Sequence, residues 1–419
     1  MRIFFNDKRT TFIYLYIQEM VSINRFNYRL ILFCLIFGVI FYDFIQQQTG
    51  FSYIDEFITL FLVIYLCKSR KERSVKELYA FVAIVLFYLL HSFIFPHNVV
   101  PAIITDFLIQ IKPFLAFYVI WLIPFKFTDR DKQRMCKACI WLSLLILPIG
   151  VLSPGGGPLM SMFCGHARYA TMAIALGITY IYFSRRRKKD LYIALLIFSI
   201  GLLSLRSKMF GFYAAYIGII FLWKKIPRRK YILSPKTIIL FSIIILGVLY
   251  VAREKILFYF VAGTEGENMF ARPLLYVKAI EILKDYPFFG TGFGSYATHA
   301  SALYYSPLYF TYDLYLSPEI GNGLFISDTF FPVFAQFGYI GFILFILFWV
   351  KRYKTAKRNF LNTGDMLSFK MVTLIIVFFF IESIADSTFT HNRGMYMMML
   401  LALFLKENNN ENQNIICRK

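Results

Sequence analysis

FARPLLY (residues 270–276) and FFGTGFGSY (288–296) lie in one long polar stretch, which runs from Arg253 to Asp328, and SDTFF (327–331) covers its end. The sequence on either side of this stretch alternates apolar runs with short basic connections. Apolar runs of membrane length that recur along a whole chain are typical of membrane helices. The membrane topology therefore depends on which side of the membrane the long polar stretch lies.

The composition argues against a soluble protein. Of the 419 residues, 58% are hydrophobic and 16% are charged, and a soluble domain this apolar could not cover its surface with polar groups. The formal net charge is +21, which can indicate a nucleic-acid partner. Here, however, the basic residues cluster in short connections between apolar runs, a distribution that sets membrane topology. We therefore expect no nucleic-acid partner.

The apolar runs predict an all-α, polytopic integral membrane protein of about 12 transmembrane helices. Several runs are shorter than the roughly 20 residues that cross a bilayer upright, so some helices are expected to be half-inserted or to extend into the polar connections. The predicted helices are 28–45, 51–67, 78–95, 103–123, 138–152, 167–183, 190–205, 208–223, 237–252, 329–350, 370–386 and 393–405.

Basic residues alternate along the connections between these helices. Lys and Arg are absent from 91–102, 153–166 and 387–392. Five alternating connections carry five or six each, namely 68–77, 124–137, 184–190, 224–236 and 351–370. Cytoplasmic connections carry the excess of positive charge. Both termini are therefore predicted to be cytoplasmic, and residues 253–328 to lie outside as one large loop.

This topology divides the chain into four regions. Residues 1–252 hold transmembrane helices 1–9, residues 253–328 form the large outer loop, residues 329–405 hold helices 10–12, and residues 406–419 form a cytoplasmic tail. A terminal segment as polar as this tail is expected to be disordered.

Metal and disulfide sites are not indicated by the sequence. Cys136 and Cys139 form a CxxC pair, but no second pair and no nearby histidine completes the four ligands of a zinc site. No acidic cluster or histidine pair has the spacing of a metal site. We therefore expect no metal and no cofactor.

Three basic residues are predicted near the membrane on the outer side: Arg168, Arg206 and Lys208. Arg206 and Lys208 lie in the short turn SLRSK (204–208), where two cations oppose the positive-inside bias. Binding of an anion would offset that cost, and so would contact with lipid phosphates. Both interpretations stay open from the residues alone.

Arg272 precedes a predicted helix over residues 273–285, because Pro273 suits the first turn of a helix. The free N–H groups and dipole at a helix N-terminus favour an anion, so a cation there predicts a bound anion unless its side chain points away. Asp328 is predicted to cap helix 329–350. It is also a candidate general base, with His299 as the second candidate.

Gly290 to Gly294 reads GTGFG, but a nucleotide-binding loop would require a preceding strand and a surrounding βαβ unit, and neither is predicted here. The segment is better explained as a tight turn after Pro287. Such a turn would let the backbone approach a ligand or another helix.

These features together resemble the O-antigen ligase and O-antigen polymerase family. The resemblance rests on an arginine followed by a helix, then P-x-x-G-x-G-x-G-x-Y (residues 287–296), and a later helix with QFGYIG (336–341). It covers about 80 residues and includes Arg206. The resemblance implies a metal-independent glycosyltransferase of the bacterial inner membrane that acts at the periplasmic face.

The resemblance also implies the substrates and their contacts. The donor would be a glycan on undecaprenyl pyrophosphate, whose pyrophosphate would bind Arg206 and Arg272, with Lys208 and Arg168 as further cations. The acceptor would be another lipid-linked repeat unit in a polymerase, or the lipid A core in a ligase. Membrane lipid is a further implied partner, and a chain-length regulator protein is a candidate.

The sequence departs from the ligases at one position. Ligases have His followed by Asn at the start of the helix after the large loop, whereas this chain has Asp328-Thr329. The departure favours the polymerase branch. A flippase or secondary transporter is the alternative from another class, although transporters place charged sites near the bilayer midplane, and charge is sparse there in this chain.

Overall fold

A computed structural model describes residues 24–49, 54–69, 71, 73–124, 126–223 and 270–407. Within these ranges every regular element is a helix and no β-strand occurs, so the all-α prediction is confirmed. Predicted helix 237–252, the beginning of the polar stretch and most of the tail 406–419 lie outside the described residues.

The described residues form 17 α-helices. In order they are α1 (Asn24–Ile40), α2 (Tyr42–Thr49), α3 (Ile54–Lys68), α4 (Lys76–Ile94), α5 (Val100–Leu122), α6 (Asp129–Leu152), α7 (Pro158–Phe163), α8 (His166–Phe183), α9 (Lys188–Leu202), α10 (Ser207–Leu222), α11 (Ala271–Asp285), α12 (His299–Leu303), α13 (Leu308–Thr311), α14 (Pro318–Gly321), α15 (Gly338–Thr363), α16 (Met366–Ala385) and α17 (Asn392–Glu407).

The described chain forms two compact units. The first consists of Met1–Arg73 and Leu122–Arg206 and contains α1–α3 and α6–α9. Helix α8 is its core, because every side chain from Tyr169 to Phe183 is buried. A Cβ at Gly177 would lie 2.2 Å from the ring of Phe198 in α9, so the small residue lets these two helices pack closely, as is common between membrane helices.

The second unit consists of Ser74–Trp121 and Ser207–Lys419 and contains α4, α5 and α10–α17. Helix α17 is buried from Met395 to Lys406 and packs against α16. The described part of the polar stretch has a hydrophobic core of its own, which includes Leu275, Tyr296, Tyr309, Leu314 and Ile320. This part of the chain is thus a packed helical segment of the unit.

Among the described residues, four helices are long and apolar enough to cross a membrane: α4, α5, α6 and α16. The pair α1 and α2, bent by 56° at its break, would make a fifth span. The chain is therefore a membrane protein with transmembrane helices. Other predicted spans correspond to shorter helices, such as the 15 residues of α9, so the count of twelve stays a prediction.

The predicted helix 329–350 begins later than expected. The prediction that Asp328 caps it is therefore wrong. A 3-10 helix covers Phe331–Gln336, and α15 starts at Gly338 with Phe337 as its N-cap. Gly338 has a φ of +63°, which turns the backbone between the two helices. Asp328 lies ten residues before α15, and consequently does not cap it.

Candidate functional site

The GTGFG segment is a buried turn whose three glycines all have positive φ, between +70° and +83°. A Cβ at Gly294 would lie 2.6 Å from the backbone of Ala102 in α5, and one at Gly292 would lie 2.7 Å from Ser92 Oγ in α4. The glycines therefore allow the backbone to approach other helices. Approach to a helix was one of the two roles predicted for this turn, and approach to a ligand was the other.

A buried polar network holds the turn in place. Asp106 Oδ2 accepts a hydrogen bond from the Gly294 N–H at 2.8 Å, and Asn98 Nδ2 donates to the Gly294 carbonyl at 2.6 Å. Gln336 Oε1 accepts the Ser295 N–H at 2.8 Å. Because buried backbone groups need such partners, the network fixes the turn between α11 and the segment that precedes α15.

Arg272 lies in the first turn of α11, so the prediction of a helix with this arginine at its N-terminus is confirmed. Its Nη2 donates to Asp328 Oδ2 at 2.8 Å, and the Ala271 N–H donates to the Glu319 carboxylate at 2.6 Å. Two carboxylates thus offset a cation at the positive end of the helix dipole. The side chains of Arg272 and Asp328 are 33% and 38% exposed, so solvent reaches both members of the pair.

Lys208 is enclosed by acidic side chains at the start of α10. Its Nζ donates to Glu382 Oε2 at 2.6 Å and to Asp386 Oδ2 at 2.7 Å. Thr388 Oγ1 donates to Glu382 at 2.8 Å. Glu382 is only 2% exposed, and a buried carboxylate requires such partners. These acidic groups balance the positive charge that the sequence placed in this turn.

The two groups of charges lie at the same end of α16. The Tyr276 hydroxyl of α11 donates to the Ile384 carbonyl at 2.8 Å. The Phe330 N–H, two residues after Asp328, donates to the Ser383 carbonyl at 3.3 Å. Arg272, Asp328, Lys208, Glu382 and Asp386 are therefore named the ion-pair cluster below.

Asp386 follows the membrane-spanning part of α16 and stays ionised. Burial alone would raise the pKa of its carboxyl. The positive charges of Lys208, His391 and Arg393 outweigh that effect and lower this pKa to about 2. A carboxylate held so strongly in its charged form is a poor proton acceptor near neutral pH. Asp386 thus serves to hold Lys208.

Residues 191–346, from α9 into α15, match the family model described as O-antigen ligase. This segment is therefore similar to the O-antigen ligase family. Members of this ligase and polymerase family transfer glycans. No curated protein and no solved structure matches the chain. The matched segment includes Arg206, Lys208, Arg272, His299 and Asp328.

The structure brings together only some of the residues that the sequence singled out. Arg272, Asp328 and Lys208 belong to the ion-pair cluster. His299 is exposed at the start of α12. Arg206 follows α9 at the end of the first unit, where its N–H donates to Ser204 Oγ at 3.4 Å.

Arg168 also belongs to the first unit, where it has an acidic partner. Its Nη1 donates to Asp43 Oδ1 at 2.8 Å, and the Asp43 side chain is 2% exposed while that of Arg168 is 46% exposed. This pair links α8 to α2. A role for Arg168 in binding pyrophosphate stays a prediction.

Sequence reasoning noted Glu382 and Asp386 only as charges near a helix end and assigned neither to the site. Both lie after the family match, as does His391 beside them. His391 Nε2 lies 3.0 Å from Ser387 Oγ. Glu382 and Asp386 are four residues apart at the end of an apolar helix, a spacing that puts both on one face. Two such carboxylates in an apolar segment are the pattern that could have revealed them.

The described residues contain no group of three or more His, Cys, Asp or Glu side chains that could hold a metal ion.

Proposed function

We propose that this protein polymerises lipid-linked oligosaccharide repeat units of an O-antigen, a capsule or an exopolysaccharide. The donor glycan is carried by undecaprenyl pyrophosphate, and the reaction occurs at the periplasmic face of the bacterial inner membrane. The observation that carries the proposal is the pair of Arg272 and Asp328. It joins a partly exposed guanidinium and a partly exposed carboxylate at 2.8 Å inside the segment that matches the family model.

Arg272 binds the pyrophosphate of the donor in this proposal. A guanidinium has five N–H donors and matches phosphate oxygens in bidentate fashion. Asp328 uses one nitrogen of this guanidinium, and Arg272 Nε has no hydrogen-bond partner among the described residues. The N-terminus of α11 adds the favourable field of the helix dipole. The resemblance assigns Arg206 as the second cation.

The transfer needs a proton acceptor and a stabilised leaving group. A hydroxyl of the acceptor sugar attacks the anomeric carbon, and the bond from that carbon to the pyrophosphate oxygen breaks. The guanidinium of Arg272 stabilises the negative charge that develops on the pyrophosphate. When pyrophosphate takes over Arg272, Asp328 is released and accepts the proton of the attacking hydroxyl. His299 is the reserve base.

Lys208 has a different role in this proposal from the one the sequence suggested. Two carboxylates balance its charge, so its contribution to binding a further anion is small. Lys208 instead fixes the end of α16, against which Tyr276 and Phe330 position α11 and Asp328.

The family match also favours a second candidate, an O-antigen ligase, because that is the description of the matching family. A ligase would transfer the finished glycan to the lipid A core. The polymerase is preferred because Asp328-Thr329 stands where ligases have His followed by Asn. The further partners of the polymerase are membrane lipid and a chain-length regulator protein.

The surface glycan ladder of a strain that lacks the gene tests the function. Loss of the ladder, with a single repeat unit still on the surface, is expected for a polymerase. Loss of all surface glycan with long polymer on the undecaprenyl carrier would identify a ligase. Repeat units trapped on the cytoplasmic face would identify a flippase.

Complementation with Arg272→Ala tests the mechanism. We expect the variant to reach the membrane and to give no ladder, since it lacks the guanidinium that binds the donor. Lys278→Ala is the matched control, because Lys278 lies on the same helix and pairs with Glu281 instead. A normal ladder from Arg272→Ala would contradict the assignment of the pyrophosphate site.

A further inference from the structure

Helix α4 is held at both ends by polar contacts. At its start, Glu77 forms ion pairs with Arg352 and, at 2.9 Å, with Lys351 of α15. Near its end, the Tyr88 hydroxyl donates to the Phe337 carbonyl at 2.9 Å. Only 11% of its apolar window is buried. Most of the surface of α4 is therefore exposed.

A cavity of about 290 Å³ lies behind the middle of α4. Its walls come from α4, α5, α15 and the segment before α15, and its lining is almost wholly apolar and aromatic, including Phe81, Ile84, Phe114, Phe334 and Phe348. Apolar cavities stay dry, and an empty cavity destabilises a protein in proportion to its volume. Hydrocarbon from the surrounding bilayer is the material that fits it.

One end of this cavity is charged. Arg352 lines it, is 2% exposed, and stacks on the rings of Phe117 and Phe348 at 4.8 and 4.9 Å. Its Nε is buried with no hydrogen-bond partner among the described residues. Glu77 balances one of the two cations, Arg352 and Lys351, so this end of the cavity has a net positive charge.

The sequence beyond the cavity adds further positive charge. Residues 351–358 contain five basic and no acidic side chains, which are Lys351, Arg352, Lys354, Lys357 and Arg358. Basic clusters next to a membrane helix attract anionic lipid headgroups. The apolar cavity and the basic end thus match the two parts of a single amphiphile.

We propose that this cavity binds one hydrocarbon chain of an anionic phospholipid, with its phosphate against Lys351 and the Nε of Arg352. The site differs from that of the glycan donor. The pyrophosphate of the donor is assigned to Arg272, which does not line this cavity. The proposal does not depend on the polymerase reaction.

Native mass spectrometry of the full chain tests this site. The protein is purified in detergent and titrated separately with phosphatidylglycerol, phosphatidylcholine and undecaprenyl phosphate. We expect one phosphatidylglycerol per chain, bound at least about fivefold more tightly than phosphatidylcholine, the factor that one basic residue near a membrane surface contributes. Equal binding of the two phospholipids, or preferential binding of undecaprenyl phosphate, would overturn the proposal.

Matched variants separate the headgroup from the chain. Lys351→Gln should weaken phosphatidylglycerol binding about fivefold, whereas Lys354→Gln, at an exposed position outside the cavity, should not. Ala80→Phe should abolish binding by filling the cavity, whereas Ala83→Phe, at an exposed position of the same helix outside the cavity, should not.

Leu344→Phe fills the same space from α15 and replaces Ala80→Phe if that variant does not fold. Unchanged lipid binding in a folded, cavity-filled variant would also overturn the proposal.

Discussion

At the scale of single residues, the pair of Arg272 and Asp328 combines two opposite charges that a bound pyrophosphate would separate. Asp328 is free of any capping function, because α15 begins at Gly338. A substitution there consequently reports on chemistry and on the contact with Arg272, without loss of a helix cap.

Asp328→Asn should reduce polymer formation by at least about 100-fold, the lower range for removal of a general base. The amide keeps the shape of the side chain but accepts no proton. Ladder formation in the complemented strain measures the effect. Asp313→Asn is the control, since Asp313 is exposed and has a φ of +58° that Asn also tolerates. Full activity of Asp328→Asn would show that the base lies elsewhere.

Lys208→Met should lower the free energy of unfolding by about 3 to 5 kcal/mol, because it leaves the buried Glu382 carboxylate without its cation. Thermal unfolding in detergent measures this loss. Adding Glu382→Gln should restore much of the stability, since the buried charge is then removed. A neutral single variant would mean that the ion pair contributes little.

The sequence identified Lys208 from charge alone, since two cations in a short predicted outer turn require compensation. It could not identify the compensating groups. Glu382 and Asp386 lie 174 and 178 residues away, and neither residue spacing nor composition links positions that meet only in the folded chain. The same holds for Glu319, which accepts the Ala271 N–H from 48 residues away.

At the scale of elements, the GTGFG turn requires glycine at position 294. Gly294→Ala should cost about 2 to 5 kcal/mol, from a positive φ together with overpacking against α5. Gly323→Ala is the control: its φ is +71°, but a Cβ there would meet nothing within 4 Å, so only the conformational cost of about 1 to 2 kcal/mol applies. Equal losses in the two variants would contradict the packing argument.

Helix existence was easier to predict from the sequence than helix ends. Helices α4, α5, α6 and α16 correspond to predicted apolar runs, since a hydrophobic run of this length has few alternatives in a membrane. The apolar run 329–350 is continuous, so hydrophobicity alone could not reveal that a 3-10 helix precedes α15. Pro332 and Gly338 were the local indications of that break.

At the scale of the whole molecule, the placement of basic residues predicts a topology that reporter fusions can check. A periplasm-dependent phosphatase fused after Phe310 should be active, and one fused after Lys189 should be inactive, because residues 184–190 carry five cations. A fusion after Lys354 should behave like the one after Lys189. Activity after Lys189 would contradict the orientation.

The class of the protein was predictable at this scale because composition and charge distribution act over the entire chain. The packing of side chains within the polar stretch was not predictable from the sequence. Its core of Leu275, Tyr296, Tyr309 and Ile320 gives no simple periodicity, because short helices and turns contribute one or two residues each. The site could thus be located in the chain, but its geometry required the fold.

The hydrogen bonds of the GTGFG turn also have a consequence for synthesis. Ser92, Asn98 and Asp106 are separated from their partners at Phe293 and Gly294 by 201, 196 and 188 residues. The hydrogen bonds from α4 and α5 to this turn can therefore form only after more than two thirds of the chain has been synthesised. Contacts between residues this distant in sequence form late in folding. A fragment that starts at residue 191 spans the matched segment but lacks these three side chains. The GTGFG turn is consequently held in place by helices that the family match does not include.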